Sequence, residues 1–281
     1  MNETLSYINQ SLKSLYPPGE IQSFSRLIME HVCGLSHHQL LIRDRVLSQT
    51  DRLAIEEIVE RLRKAEPIQY ILGTTTFYGL TFRVNPATLI PRPETEELVD
   101  RVIKKHTGQP IRILDIGTGS GCIAITLSKY LPEAQIMAID ISEEALATAR
   151  ENNRRNNTPV AFVRTDILDI PQAGKDIPGT FDLIVSNPPY VLESEKNEME
   201  KNVLLYEPWQ ALFVPDNDPL RFYRAIIGFG NQKLNKGGYL YFEINAQCGK
   251  QVVELLRQEG YEAIELLPDI SGKDRMIKAH I

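Results

Sequence analysis

The sequence predicts an α/β protein, a doubly wound sheet of seven strands preceded by a small helical N-terminal domain and a short β-hairpin. Three observations carry this expectation. From Ile111 onward, continuous apolar runs alternate with helical periodicity, the pattern of a parallel sheet covered on both faces. A cluster of glycines follows the first apolar run directly, as ligand-binding turns do in such sheets. The first 66 residues show only helical spacing. Length agrees, since 281 residues make about 1.9 domains of ordinary size. With 42% apolar and 24% charged residues the chain sits at globular averages, which excludes a mainly disordered protein.

Within residues 1–66, Ala54, Ile55, Ile58, Val59 and Leu62 form one apolar stripe at helical spacing, a face that needs a partner. Thr50 or Asp51 can cap that helix. Pro17-Pro18-Gly19 and Gly34 break the earlier segments, giving about four helices before Pro67. Between Gln69 and Val84 the composition turns to Thr, Tyr, Phe and Ile around Gly79, so residues 67–90 read as a hairpin linker. Leu89-Ile90-Pro91-Arg92-Pro93 then ends extended structure and opens a helix, because proline suits a first helical turn. The domain 91–281 follows. Strands are expected at Ile111–Ile116, Gln135–Ile141, Val160–Thr165, Phe181–Ser186, Tyr239–Asn245, Ala263–Leu267 and Met276–Ile281. Helices are expected at Cys122–Tyr130, Ser142–Asn156, Pro219–Leu234 and Gly249–Glu259.

The charge balance, 31 basic against 37 acidic residues for a net of −6, excludes binding that rests mainly on nucleic-acid phosphates. Residues 1–75 hold eight basic and nine acidic side chains, no DNA-gripping surface. Arg43 with Arg45, and Arg61 with Arg63 and Lys64, read as solvated helix faces. Cys33, Cys122 and Cys248 are single and widely spaced, as reduced cytoplasmic thiols are. His31, His37, His38, His106 and His280 lack metal-ligand spacing, so no metal site is expected. Met1–Gln10 carries no basic segment with an apolar core, and no apolar run reaches the roughly 18 residues of a membrane span.

Leu114-Asp115-Ile116-Gly117-Thr118-Gly119-Ser120-Gly121 runs from a strand into a helix. Its glycines let a ligand approach the backbone. A dinucleotide fingerprint would place its third glycine at position 122, where this chain has Cys122, so a nicotinamide or flavin pyrophosphate fits less well. Asp140 ends the second strand, where a carboxylate can accept both ribose hydroxyls of an adenosine. Asp166, at the end of the third strand, can reach an adenine edge. Taken singly, each of these is also a tight turn or a helix-flanking charge; their recurrence at three successive strand ends is what points to a ligand.

Ser186-Asn187-Pro188-Pro189-Tyr190 follows the fourth strand, at the same sheet edge. Two prolines remove backbone donors and stiffen the chain, leaving the Asn187 side chain and the Pro188 carbonyl as acceptors. An amide or exocyclic amine has its lone pair delocalised into a π system. Two acceptors on its N–H groups would orient that nitrogen toward an electrophilic methyl, with Tyr190 stacked on the planar group. A purely structural turn is the alternative reading. The tetrapeptide matches DNA adenine, some rRNA guanine and protein glutamine N-methyltransferases, so it specifies planar nitrogen rather than a polymer. An adenine N6- or guanine N2-methyltransferase, or a non-catalytic nucleotide-binding adaptor, remains open at this point.

The glycine turn and the acids that follow it resemble class I S-adenosylmethionine-dependent methyltransferases, with a Rossmann-like sheet. Pro67-Ile68-Gln69-Tyr70-Ile71-Leu72-Gly73, Leu89 to Glu96 with its Pro91-Arg92-Pro93-Glu94 core, Asn187 to Tyr190, and Tyr206-Glu207-Pro208 with Ala211-Leu212 come in that order. With a helical segment ahead of them, they resemble the release-factor glutamine methyltransferases (HemK or PrmC family) over essentially the full chain. The resemblance implies methyl transfer from S-adenosylmethionine to the side-chain amide nitrogen of the Gln in the Gly-Gly-Gln motif of class 1 peptide-chain release factors, leaving S-adenosylhomocysteine. It implies that Asp115, Gly117, Thr118, Gly119, Ser120 and Gly121, together with Asp140, Asp166, Ile167 and Asn187, hold the cofactor. Asn187, Pro188, Pro189 and Tyr190 would hold the glutamine, with Asn187, Pro188 and Tyr190 catalytic. Ile167 stands where some members have an aromatic residue. A role for Pro91 to Glu94 in lining the site follows from the same resemblance. A substrate-recognition role is expected of residues 1–66, the largest part of the chain that cofactor and chemistry leave unused. A cytoplasmic location with no membrane partner and no stable nucleic-acid partner is expected from the cysteines, the lack of an apolar span and the charge balance. Val191 to Glu207, five acids against two lysines, reads as an irregular loop that either folds over the peptide or is merely solvated.

Overall fold

The computed structural model describes residues 2–34 and 47–281, which divide into two compact units. The expectations for Arg43, Arg45, His37 and His38 fall outside the described residues.

The helical unit, Met1–Gly73 with Glu200–Tyr206, contains α1 (Asn2–Leu12), α2 (Pro18–Cys33), α3 (Gln49–Arg63), α4 (Ile68–Leu72) and, from far along the chain, α9 (Lys201–Tyr206). Ile8, Leu12, Ile28, Met29 and Val59 are wholly buried at its centre, and the expected stripe on α3 supplies Ile55, Ile58, Val59 and Leu62 to the same core. The cap of α3 is Ser48, not Thr50 or Asp51. Asp51 lies three residues into the motif, donating its N–H to Ser48 Oγ (3.0 Å) while its carboxylate accepts from the Ser48 N–H (3.1 Å), a reciprocal capping box. The Tyr206 hydroxyl donates to the Lys64 carbonyl (3.0 Å), so part of the expected loop 191–207 is a helix belonging to this unit.

The second unit begins with the hairpin β1 (Thr74–Phe77) and β2 (Leu80–Arg83), paired antiparallel through a two-residue turn. Tyr78 and Gly79 both take positive φ, 48° and 75°, as a turn matched to strand twist requires. The hairpin is not a free linker. Phe77 and Phe82 are buried in one core with Leu98, Val99, Ile123 and Leu127, because the register that sets Thr75 opposite Phe82 puts Phe77, two residues on, on the same face of the hairpin.

After α5 (Pro93–His106) come β3 (Arg112–Ile116), α6 (Cys122–Tyr130), β4 (Gln135–Asp140), α7 (Glu143–Asn156), β5 (Ala161–Arg164), α8 (Ile170–Asp176) and β6 (Phe181–Ser186). The short pieces β7 (Val191–Leu192), α10 (Trp209–Leu212) and β8 (Phe213–Val214) lead to α11 (Arg221–Lys233), β9 (Leu234–Glu243), α12 (Gly249–Gln258), β10 (Glu262–Pro268) and β11 (Asp274–His280). Seven strands form one sheet in the order β10-β11-β9-β6-β3-β4-β5. β5, β4, β3, β6 and β9 pair in parallel, while β11 runs antiparallel to both neighbours. Alternate side chains enter opposite cores: Ile113, Leu183 and Val185 on the face covered by α5 and α6, Leu114, Ile116 and Ile184 on the face covered by α11 and α12.

Two elements differ from the sequence expectation for local reasons. β9 starts at Leu234 rather than Tyr239, because a register shift between the Phe181–Leu234 and Leu183–Tyr239 pairs absorbs Gly237 and Gly238, which otherwise read as a turn. α8 carries little apolar periodicity but is opened by Asp169, whose side chain accepts from the Gln172 N–H (3.1 Å), with Pro171 in the first turn.

Asn152 on α7 is wholly buried. Its Nδ2 donates to the carbonyls of Arg83 and Ser120 (both 2.9 Å), and its Oδ1 accepts from the Arg83 N–H (2.6 Å). Asn152→Ala should therefore lower unfolding free energy on the order of 3 kcal/mol, since the buried Ser120 carbonyl and the two part-buried backbone groups of Arg83 lose their partner. The midpoint of urea denaturation reads this directly, and a midpoint equal to that of the parent chain would contradict it.

Candidate active site

In a parallel sheet every strand presents its carboxyl end at one edge. The neighbours of β3 were laid down in opposite directions, β4 on one side and β6 on the other, which opens a crevice at that edge. The crevice is a cleft of about 680 Å³. Gly117, Gly119, Asp140, Asp166, Ile167, Asn187, Pro188 and Pro189 line it, with Trp209 and Phe213. The first eight of these residues come from four different strand ends.

Gly117, Gly119 and Gly121 take positive φ, 75°, 54° and 82°. The N–H groups of Gly117 and Thr118 both donate to the Ile139 carbonyl (2.9 and 3.0 Å), which ties the turn to β4. Asp140 accepts from the Gly119 N–H on Oδ2 and from the Ser142 N–H on Oδ1 (both 2.9 Å). Burial pushes its carboxyl up from the ordinary value, against these backbone donors. Each oxygen keeps a lone pair beyond its backbone bond. Asp166 is held by the Leu168 N–H on Oδ1 (2.9 Å).

Four residues expected at the cofactor are instead beneath the turn. Asp115, Thr118 and Ser120 are buried, and none of them, nor Gly121, lines the cleft. Asp115 Oδ2 accepts from the Thr118 hydroxyl (2.6 Å) and the Ala124 N–H (3.3 Å), bracing the glycine turn onto the start of α6. Desolvation pushes its carboxyl up to about 7, only partly offset by the Thr118 bond. The chain needs an acid there to hold the turn; the motif's spacing alone does not separate bracing from lining residues.

Asn187 and Tyr190 belong to a network that reaches away from the cleft. Asn187 Nδ2 donates to Thr95 Oγ1 (3.2 Å), the Thr95 hydroxyl donates to Glu243 Oε2 (2.6 Å), and the Tyr190 hydroxyl donates to Glu243 Oε1 (3.0 Å). Tyr190 packs against the core and is not part of the cleft wall, so its ring is not placed to stack there. Glu243 is buried at the end of β9, and burial raises its pKa against the Thr95 and Tyr190 hydrogen bonds. Arg92 does not line the cleft either. Its Nη2 donates to Glu207 Oε1 (2.6 Å), whose Oε2 accepts from the Ile90 N–H (3.2 Å). Thr95 lay inside a recognised motif and Glu207 inside another, but Glu243 carried one signal only, a charge within an expected buried strand.

At the cleft's outer wall Trp209 is 50% exposed, stacked at a tilt on Phe213 (4.8 Å between centroids) with Lys196 Nζ 3.9 Å from its ring centre. In this cation–π pair Lys196 lies on the loop 191–207 that lacked a readable period, and Trp209 lies just beyond it.

The sheet and the row of strand-end groups define an S-adenosylmethionine-dependent methyltransferase. Residues 94–212 match the family model of the methyltransferase small domain and residues 3–73 that of the PrmC N-terminal domain. The chain is 49% identical over 282 residues to the release factor glutamine methyltransferase of Bacteroides thetaiotaomicron, covering all of both chains. It is 48% identical to that of Flavobacterium psychrophilum, over 96% of this chain and 95% of the other. The chain belongs to the release factor glutamine methyltransferase family. A solved methyltransferase from Pyrococcus furiosus, 20% identical, shares the fold at a TM-score of 0.53 over 72% of this chain and 89% of its own.

Asp115 yields a pH test. Its ordinary value is 3.8 and its folded value about 7, so folding takes up a proton between them, and stability from this group is full below about pH 4 and lost as pH rises through 7. Over that window it contributes a slope of up to about −1.4 kcal/mol per pH unit. Asp115→Asn, which keeps an oxygen for Thr118 and Ala124, should flatten the fall in urea midpoint from pH 4 to pH 7.5. Parallel pH curves for the two proteins would disprove the assignment.

Proposed function

We propose that the cleft holds S-adenosylmethionine against Gly117, Gly119, Asp140, Asp166 and Ile167, and that Asn187 and Pro188 receive the side-chain amide of the glutamine of a Gly-Gly-Gln motif in a class 1 release factor. The observation that carries this reading is the meeting of Asn187 and Pro188 with Gly119 and Asp140 in one cleft wall. The residues fit the cofactor on their own chemistry. An added Cβ at Gly117 or Gly119 would meet open space, so the bare backbone there leaves room for a ligand, and Asp140 is an acceptor suited to ribose hydroxyls. When bound, S-adenosylmethionine supplies an electrophilic methyl group.

The protein's contribution is orientation. Asn187 Oδ1 and the Pro188 carbonyl accept from the substrate's two N–H groups, which turns the nitrogen lone pair out of conjugation and toward the methyl donor. After transfer the nitrogen is acidic and releases its proton without a dedicated base. Pro188, buried, and Pro189, half-buried, follow Asn187 directly and keep that geometry stiff.

Asp140→Ala should weaken S-adenosylmethionine binding about tenfold or more, the loss of a charge-assisted hydrogen bond. Asn187→Ala should leave that affinity alone and slow single-turnover methylation about a hundredfold. Calorimetry and rapid-quench assays separate the two, and a near-normal rate for Asn187→Ala returns the motif to a structural turn. Labelled donor offered with release factor, rRNA and DNA in parallel distinguishes the protein substrate from nucleic acid; label in either nucleic acid and none in the factor would refute the proposal.

The helical unit is assigned the recognition of the intact factor, because a glutamine side chain alone cannot identify the protein that carries it. Leu15 and Leu53 are exposed there at 52% and 58%. Leu15→Glu with Leu53→Glu should lower kcat/KM on intact release factor several-fold and leave a short Gly-Gly-Gln peptide unaffected. Equal loss on both substrates would count against recognition by this unit.

A further inference from the structure

The network behind Asn187 has a direction. Glu243, at the last residue of β9, is 1% exposed and receives a hydroxyl on each oxygen, Thr95 Oγ1 at 2.6 Å and Tyr190 at 3.0 Å. A carboxylate only accepts. Thr95 has one hydroxyl proton, and it is committed to Glu243, so toward Asn187 the threonine can present only lone pairs. The amide of Asn187 must therefore turn its NH2 group inward to Thr95 (3.2 Å), which leaves Oδ1 as the atom facing outward. Thr95 is itself buried, while Asn187 is half-buried at the cleft. Burial raises the pKa of Glu243, while the Thr95 and Tyr190 hydroxyls and then the Arg275 guanidinium favour its charged form.

We infer that Thr95 and Glu243 are positioning residues that set the polarity of Asn187, so that it meets the incoming amide as an acceptor and never as a donor. The inference rests on the proposed role of Asn187. An Asn amide is nearly symmetric in shape, and a half-turn about its last bond replaces an acceptor with a donor. Reversed, its NH2 would face the substrate's own N–H, and methyl transfer would lose its orientation. A chain of two hydrogen bonds ending on an obligate acceptor removes that ambiguity before substrate arrives, and the same carboxylate holds the far end of the Asn187–Tyr190 turn through the phenol.

The test uses the full chain with intact release factor, single-turnover rates and calorimetric S-adenosylmethionine affinity. Thr95→Val preserves shape and removes the hydroxyl; Thr95→Ser preserves the hydroxyl and removes a methyl. Valine should slow methyl transfer about tenfold or more with cofactor affinity unchanged, and serine should stay within about threefold of the parent rate. Glu243→Gln, which places a donor among the hydroxyls, should slow transfer as well, and the double variant Thr95→Val, Glu243→Gln should be no slower than the slower single variant, because both act through one chain. If the valine variant fails to fold, Glu243→Gln beside the serine control carries the comparison, and parent-like turnover by Glu243→Gln would then overturn the relay. Equal rates for valine and serine, whether both fast or both slow, also overturn it. Asn187→Ala measured alongside separates the levels: a slow Asn187→Ala with a fast Thr95→Val defeats the relay alone, whereas a fast Asn187→Ala defeats the assignment of Asn187 and the relay with it.

Discussion

Everything at the cleft depends on the five residues in which the chain leaves β3 and enters α6. A reversal that tight uses left-handed backbone at Gly117, Gly119 and Gly121, where an L side chain is strained. Gly121 is confined sterically as well, since a Cβ there would lie 2.8 Å from Ile125 Cδ1 and 3.1 Å from Ala149 Cβ. That contact is how closely α6 approaches α7. The turn in turn aims the Gly119 N–H at Asp140, rests two amides on the Ile139 carbonyl and bears down on Asp115. β3, β4 and the two helices cannot shift relative to one another without breaking these bonds. Ser186 extends the constraint to β6 by donating its hydroxyl to the Ile116 carbonyl (2.7 Å), and so fixes where Asn187 begins.

Buried acids recur around this edge, and each is held differently, Asp115 through Oδ2 alone, its Oδ1 lacking a partner among the described residues. Asp115 is met by a hydroxyl and a helix amide, Glu243 by two hydroxyls, Glu207 by a guanidinium and an amide. A carboxylate taken out of water is costly unless donors replace the water. The donors of Asp115 are local, but those of the two glutamates come from segments far apart in sequence: Glu207 is 115 residues from Arg92 and Glu243 is 148 from Thr95. Each pair therefore holds a loop of the cleft edge to a strand or helix end that secondary structure alone would leave unattached.

That separation also decides what could be read from the sequence. The central strands were legible because a strand buried on both faces is a run of apolar residues, and Phe181–Ser186 coincides with its expected bounds. The groups lining the cleft were legible where a motif follows a strand directly, as at Asp140 and Asn187. Asn152, Thr95 and Glu243 act on partners more than 30 residues distant, and the motif around Thr95 and the lone charge at Glu243 do not say which partners those are. Tyr190 was misread because its position in the motif says nothing of which way the ring turns; the packing of β9 beside β6 decides that. Ser48 was passed over as a cap because Thr50 and Asp51, both good capping residues, follow within three positions. The stretch after Leu192 was opaque for another reason. Its helices of four to six residues are too short to show a period, and they are held by long-range bonds such as that of Tyr206 to Lys64.

The placement of α9 gives the chain an uncommon lineage. Because Glu200–Tyr206 joins the helical unit while residues on both sides of it belong to the sheet unit, the backbone passes between units three times. The helical unit is therefore not a detachable cassette. Recombination that exchanged residues 1–73 between relatives would leave a foreign helix inside the new bundle, so the fold ties the inheritance of the two stretches together.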